Sequence, residues 1–440
     1  MTTSSRKIRL GAFAMGAGHH IAAWRLPEVP HDASTNLAHY RQLAALAEEG
    51  LFDAIFMADN SAAETGPVAA RSGGSVRFEP LTLMSNLAAS TTRLGFISTV
   101  TTTYNEPYHV ARKFASLDLL SGGRFGWNLV TSDNALEAGN FGREEHVAHA
   151  NRYERASEFH DVVVGLWDSW EADAFLRDKA AALYYDETKL HVLNHRGKHF
   201  SVRGPLNAPR SPQGRPVVVQ AGASEAGREL AARTAEVIFT AQPNLAAAQG
   251  FYADIKARAA KFGRPPEATK IMPGVFAVIG KTEADAKAKF AELQSLVDPQ
   301  VGLGLLSRMI GNFDLSAYDL DGPLPDLPVT ETGQRSRQQM FTEFARKENL
   351  TIRQLCLKIA GGRGHFSVIG DAVQVADQLQ AWFEGGAADG FNIMPAFLPG
   401  GLADFVRLVV PELQRRGLYR TQYEASTLRG NLGLPFPKIH

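Results

Sequence analysis

Residues 122–132, GGRFGWNLVTS, decide how the chain is read. Gly122 and Gly123 break the helical pattern before them, the run from Arg124 to Val130 is short and rich in apolar residues, and Asn128, Thr131 and Ser132 gather at its far end. A buried strand that stops in hydrogen-bonding side chains is one stave of an α/β barrel, where ligands collect at the carboxyl ends of strands. The same stretch also fits a βα connection with an ordinary polar turn. The elements on either side separate the two.

Upstream, residues 7–15 (KIRLGAFAM) predict a first strand, then a long loop and a helix from Asn36 to Glu49, ended by Gly50. Leu37, Tyr40, Leu43, Ala44 and Ala47 share one helical face, and Ser34 or Thr35 can cap its start. FDAIFMAD (52–59) predicts the second strand, EPLTLMSNLAAST (79–91) a helix, and RLGFISTVTT the third strand. NEPY (105–108) makes a turn, and Val110 to Leu120 form the third helix. Downstream, a helix from about Ala150 to Trp170 leads into residues 171–215, whose charges, histidines, glycines and prolines suggest an excursion. The fifth strand, RPVVVQ, ends at Gln220, and the sixth is EVIFT before a helix at 244–261. The seventh is IMPGVFAVIG (271–280), followed by the helix TEADAKAKFAELQSLV, and the eighth is FNIMPAF (391–397).

Alternation of strand and helix predicts a parallel sheet, which a closed barrel and an open doubly wound sheet both satisfy. No GxGxxG follows the first strand, the nearest candidate, GGRGHF (361–366), follows a helix, and a Walker A loop is absent. The expected fold is a TIM (β/α)8 barrel in a single domain over residues 1–440. Insertions fall at about 171–215 and 295–370, the larger between the seventh helix and the eighth strand, with a C-terminal extension at about 417–440.

Composition excludes several function classes. Lys+Arg and Asp+Glu are 46 each, and no basic run is interleaved with aromatics, which argues against nucleic acid and anionic membrane as partners. A small or neutral ligand is the better expectation. The single cysteine, Cys356, rules out an intramolecular disulfide framework and fits a core thiol. HEXXH is absent, and the pairs His146/His149 and His195/His199 lack a third ligand, so no metal site is expected. The N-terminal residues run into glycine without an apolar segment, and no apolar run is long enough to span a bilayer, so a cytoplasmic protein is expected.

Seven stretches, GHHIAAWRLPE, FDAIFMAD, TTTYNEPYHVAR, GGRFGWNLVTS, HANRYERASEF, VVVQAGASEAG and AADGFNIMP, together resemble the bacterial luciferase-like flavin monooxygenases. Within that superfamily they are most similar to the branch of nitrilotriacetate monooxygenase component A, EDTA monooxygenase and the dibenzothiophene sulfone monooxygenases. The resemblance runs from about residue 8 to about residue 425. It implies reduced FMN (FMNH2) as co-substrate, O2 as oxidant and a C4a-peroxyflavin, acting on a small organic substrate in the range of sulfur- or nitrogen-containing and xenobiotic compounds. It also implies a separate NAD(P)H:flavin reductase and a homo-oligomer, dimer or tetramer. An F420 deazaflavin-dependent oxidoreductase of the same superfamily is the near alternative, which the WR, NEPY and GWNLVTS motifs disfavour. A metal-dependent barrel hydrolase is the alternative from another class.

The site residues follow from both lines. Gly222, Ala223 and Ser224 lie just after the fifth strand and open a helix, whose free N–H groups, beside a small residue and a hydroxyl, suit a phosphate dianion. An ordinary serine cap satisfies the same pattern. The resemblance places Ser224 and Tyr153 on the FMN phosphate, with Arg152 or Arg155 as the neutralising charge. It places Asn128 and Asp59 against the flavin ring or ribityl chain, and Thr101 ends the third strand as a weaker candidate. His149 precedes Tyr153 by one helical turn and shares its face. His20 matches the histidine of the family's HxxxWR pattern and is the acid–base candidate, with His19 beside it.

Overall fold

In the computed structural model, which describes residues 6–132, 134–328 and 335–439, short apolar runs buried along most of their length become parallel strands. They are β1 (Arg9–Phe13), β2 (Ala54–Met57), β3 (Gly95–Thr101), β4 (Phe125–Val130), β5 (Val217–Gln220), β6 (Val237–Thr240), β7 (Lys270–Ile279), β8 (Phe366–Gly370) and β9 (Gly390–Pro395). Strands β1 to β7 pair in sequence, β7 pairs with β9, and β9 returns to β1, which closes a ring of eight. The barrel expected from the alternation is therefore the fold. Residues such as FGWNLV in β4 read in both directions: Phe125, Trp127 and Leu129 pack outward among helices, while Gly126 and Asn128 face the barrel interior.

Strand β8 is an addition within the stretch expected to be an insertion. It lies along Val275–Ile279 of β7, beyond Lys270–Pro273 where β6 pairs. Its sequence, FSVIG, is short and only partly buried, so its apolar pattern is too weak to distinguish it from loop.

The helices of eight residues or more are α1 (Leu37–Glu49), α2 (Pro80–Ala88), α3 (Pro107–Leu120), α4 (His149–Trp167), α5 (Glu225–Thr234), α6 (Leu245–Lys261), α7 (Glu283–Ser295), α8 (Pro299–Met309), α9 (Arg335–Lys347), α10 (Ile352–Ile359) and α11 (Ala372–Glu384). Two starts differ from expectation. Asn36, not Ser34 or Thr35, caps α1, its side chain accepting from the His39 N–H at 3.0 Å. Helix α3 begins at Pro107, because a proline at the first helical position lacks only a donor that would be unpaired there anyway.

Both expected insertions are tied to the barrel. The 171–215 segment returns to α4, where Asp168 receives Arg210 and Arg215, each at 2.9 Å, and Glu158 accepts the backbone N–H groups of His199 and Phe200. Helices α8, α9 and α10 enclose a small core of their own around Leu306, Phe341, Leu355 and the buried Cys356.

The C-terminal stretch closes one mouth of the barrel. Leu428, Leu432 and Leu434 join the inward-facing Ile97, Val217 and Met272. Arg420 pairs with Asp53 and Arg429 with Glu236, all well buried. A Cβ on Gly95 would stand 2.6 Å from Leu428, so the plug requires glycine there. With that end filled, open space remains at the carboxyl ends of the strands. Among the described residues no helix is long and apolar enough to cross a membrane.

Candidate active site

A cleft of about 640 Å³ opens at the carboxyl ends of β1 to β5, with walls from the loops after them and from the 295–370 segment. Asp59, Thr101, Asn128, His149, Tyr153, Gly222 and Ser224 all line it, so residues more than 160 positions apart in sequence converge.

On its floor, Asn128 donates from Nδ2 to Thr99 Oγ1 at 2.8 Å, and Thr99 in turn donates to the Met57 carbonyl at 2.7 Å. This chain fixes the amide orientation and leaves Asn128 Oδ1 buried without a partner. An unpaired buried acceptor is unfavourable unless a donor arrives to meet it, as the edge of a polar ring would. Thr101 uses its acceptor capacity locally, Oγ1 accepting from the Thr103 N–H at 3.1 Å and from Ser132 Oγ at 2.8 Å. Ser132 holds φ at +51°, in the left-handed region, where a non-glycine residue stores strain. Asp59 is half-buried, and desolvation raises its carboxyl above the usual range, with Glu79 and Glu137 adding to the rise.

The corner of the cleft at Gly222–Gly227 is built by close approach of backbone. Ser224 caps α5, Oγ accepting from the Gly227 N–H at 3.1 Å and lying 3.4 Å from the Tyr153 hydroxyl. A Cβ on Gly222 would fall 2.9 Å from Gly227 Cα, and one on Gly227 would fall 3.0 Å from both Gly222 Cα and the Tyr153 oxygen. The loop can lie on the first turn of α5 only because both positions lack a side chain. The result is a concavity with two hydroxyls and a helix N-terminus, the donor set a phosphate requires. The serine that caps α5 thus also lines this concavity, and Gly227 is a part of it that the sequence pattern did not single out.

The two arginine candidates separate. Arg152 is buried and lines the cleft beside Tyr153. Arg155 turns away, donating to the carbonyls of Thr102 and Asn105 with its guanidinium 4.3 Å from the Phe200 ring. His149 stands 4.8 Å from the Tyr153 ring, and burial with the neighbouring Arg152 holds its pKa below the usual value.

Of the adjacent histidines, His19 lies on the cleft wall and His20, the acid–base candidate, is not among the lining residues. The loop runs along the end of β9, His19 N donating to Pro395 O and His20 N to Ala396 O, and neighbouring side chains in such a segment diverge. His20 is packed among core aromatics, its ring 6.5 Å from Phe276 and 6.3 Å from Phe290. His19 is fully buried against Phe13, ring centroids 4.5 Å apart, and its Nε2 donates to the Phe13 carbonyl at 3.0 Å. Its Nδ1 has no partner. Burial, reinforced by Arg363, lowers its pKa to about 3, so the imidazole is neutral with Nδ1 a bare acceptor.

Other cleft residues carried no sequence signal. Met15 and Met394 add apolar surface, and Phe239 stacks on His365 at 5.1 Å. Arg308, Arg337 and Arg363 come from the 295–370 segment. Only the fold places that segment over the barrel mouth. Among the described residues no three His, Cys, Asp or Glu side chains are grouped to hold a metal ion.

Comparison with known proteins adds an independent line. A family model described as luciferase-like monooxygenase matches residues 17–389. The chain is 51% identical over 440 residues to N-acetyl-S-(2-succino)cysteine monooxygenase of Bacillus subtilis (strain 168), covering 99% of each chain. It is 50% identical over 445 residues to nitrilotriacetate monooxygenase component A of Aminobacter aminovorans, covering 99% of this chain and 98% of the other. Among solved structures, a riboflavin lyase, RcaE, with modified FMN and riboflavin superposes with a TM-score of 0.88 at 33% identity, over 98% of this chain and 97% of that one.

Proposed function

Because the chain belongs to the luciferase-like monooxygenase family and is a flavin-dependent monooxygenase of the two-component type, we propose that its cleft binds reduced FMN in particular, with the phosphate at Ser224 and Tyr153 and the ring over Asn128. A separate NAD(P)H:flavin reductase supplies the FMNH2, and the oxygenase works as a homo-oligomer, dimer or tetramer, in the cytoplasm. The observation that carries this reading is the pairing of a phosphate-shaped cradle at Gly222–Gly227 with the unpartnered Asn128 Oδ1 across the same cleft. The relatives are named for N-acetyl-S-(2-succino)cysteine and nitrilotriacetate, which favours a small sulfur- or nitrogen-containing substrate here.

When bound, reduced FMN supplies the two electrons with which one atom of O2 enters the substrate and the other leaves as water. The protein's residues position, shield and hydrogen-bond. Ser224 Oγ, the Tyr153 hydroxyl and the first N–H groups of α5 hold the phosphate, and Arg152 balances its charge. Asn128 Oδ1 accepts from a ring N–H, its orientation locked by Thr99 and Met57 O. Phe13, Phe56 and Met394 keep water from the reacting face. His19 offers Nδ1 to a donor on the flavin or the substrate, and its neutrality means that it holds a hydrogen bond without adding charge.

The test couples the purified chain to a generic flavin reductase with NADH, FMN and ¹⁸O₂, and screens thioethers, sulfones and aminopolycarboxylates for labelled product. Protein-dependent product carrying one ¹⁸O, with reduced FMN bound more tightly than reduced FAD, is the expected result. Absence of tight reduced-FMN binding together with absence of labelled product would overturn the reading.

A further inference from the structure

The phosphate corner follows β5, and in the ring of eight strands β5 stands opposite β1. On the β1 side three arginines meet. Arg363 donates from Nη2 to the His19 carbonyl at 3.1 Å, and its Nε is buried with no partner. Arg308 and Arg337 line the same cleft and lie close enough that their charges, added to burial, lower the Arg363 pKa to about 10. Arg308 pairs with Glu64 at 2.8 Å, both side chains half-exposed at the rim. His19 and His365 beside them are held neutral, each lowered to about 3, and so do not offset the charge. Among the described residues no carboxylate pairs with Arg363.

The loop that delivers Arg363 is shaped for that purpose. It is the GGRGH run, 361–365, whose glycines resemble a dinucleotide motif without following a strand. A Cβ on Gly361 would lie 2.3 Å from the Phe276 ring and one on Gly362 2.3 Å from Ser367 Oγ. Arg363 and Gly364 both hold positive φ, +50° and +90°. Among the described residues Glu64 is the one carboxylate whose charge reaches Arg363, and it is paired to Arg308, so a strained backbone that drives this guanidinium into the cleft leaves more positive than negative charge there and favours an anion. A guanidinium fork fits a carboxylate in particular.

We propose that the molecule oxygenated by this chain carries at least one carboxylate, bound by Arg363 with Arg308 and Arg337 at the end of the cleft opposite the flavin phosphate. This deepens the reading of the cleft as a flavin monooxygenase site and rests on it. Glu64 is then the resident counter-ion of Arg308, which an incoming carboxylate joins or displaces. Leu305, Met309 and Met394 give the substrate's apolar part a surface between the arginines and the flavin.

The test is calorimetric titration of the full chain with thiodiacetate, iminodiacetate and tricarballylate, each against its methyl ester, with FMN and riboflavin affinities measured separately. At least one acid should bind tenfold or more tightly than its ester. Arg363→Met should weaken the acid about ten- to a hundredfold while leaving ester and FMN affinity unchanged, and Arg363→Lys should recover part of the loss. Arg308→Met, at the half-exposed rim, should weaken the acid less and serves as the test if Arg363→Met fails to fold. Esters binding as tightly as acids throughout the panel would overturn the proposal. So would an Arg363→Met variant that loses FMN affinity but not riboflavin affinity, since the arginines would then hold the flavin phosphate. Acid binding that needs Arg363 in a protein with no affinity for FMN would sustain the anion subsite and sink the flavin reading instead.

Discussion

Replacing Ser224 by Ala removes one oxygen that serves two purposes in the structure. It caps α5, accepting from the Gly227 N–H at 3.1 Å, and with the Tyr153 hydroxyl 3.4 Å away it forms the proposed phosphate cradle. Loss of the cap should lower the unfolding free energy by about 0.5–2 kcal/mol. Loss of a donor to a charged acceptor should cost a further 1.5–3 kcal/mol of binding, about ten- to a hundredfold in Kd for FMN. The two effects are separable, because riboflavin keeps the ring and ribityl chain but has no phosphate. Fluorescence titration of Ser224→Ala with both flavins should therefore show a large loss for FMN and a small one for riboflavin. Tyr153→Phe should behave in the same way. Asn128→Ala should weaken both flavins alike, since it removes the unpartnered acceptor proposed to meet the ring. Equal losses for FMN and riboflavin in Ser224→Ala would refute the phosphate assignment and leave the serine as a helix cap only.

Gly227→Ala sets a Cβ 3.0 Å from the Gly222 backbone and the Tyr153 oxygen, so it should cost about 1–3 kcal/mol of overpacking and abolish the preference for FMN over riboflavin, read by the same titration. His19→Ala should lower the yield of oxygenated product per NADH consumed, whereas His20→Ala should chiefly lower the melting temperature. A reversal of those outcomes would favour His20 as the acid–base residue. Burial depresses His19, His20 and His365 from 6.5 to about 3, 4 and 3, so the stability they contribute is full above pH 6.5 and declines as the pH falls toward 4. Each should supply roughly 1.4 kcal/mol per pH unit in that window. Asp118, pushed up to about 6 by burial, acts in the opposite sense below that pH and there offsets about one of the three, leaving the decline between pH 6.5 and 6 unopposed by it. Denaturant unfolding at pH 7.5, 6.5 and 5.5 checks this, and a flat profile would refute it. Asp53→Ala leaves Arg420 buried without its partner and should cost about 3–5 kcal/mol, seen as a loss of the folded baseline at moderate urea.

Much of the molecule was legible in the chain because it depends on local pattern. The eight barrel strands are buried apolar runs bounded by glycines and polar turns, so periodicity located them before any pairing was known. Asn128, Ser224, Tyr153 and Asp59 stand at strand ends or in the helices that follow, and a parallel barrel gathers those positions on one face whatever the intervening sequence. What the sequence could not convey was anything set by contacts between distant segments. His19 and His20 are chemically identical neighbours, and only the course of their loop along β9 determines which one faces the cleft. FSVIG becomes a strand because β7 extends past the end of β6 and leaves an edge free. The charge at the far end of the cleft comes from arginines some 290 to 345 positions from His19, brought there by helices with a core of their own. Local chemistry determined the barrel and the strand-end residues that line its cleft, whereas long-range packing, which no short window of sequence encodes, decided which histidine and which arginines join them.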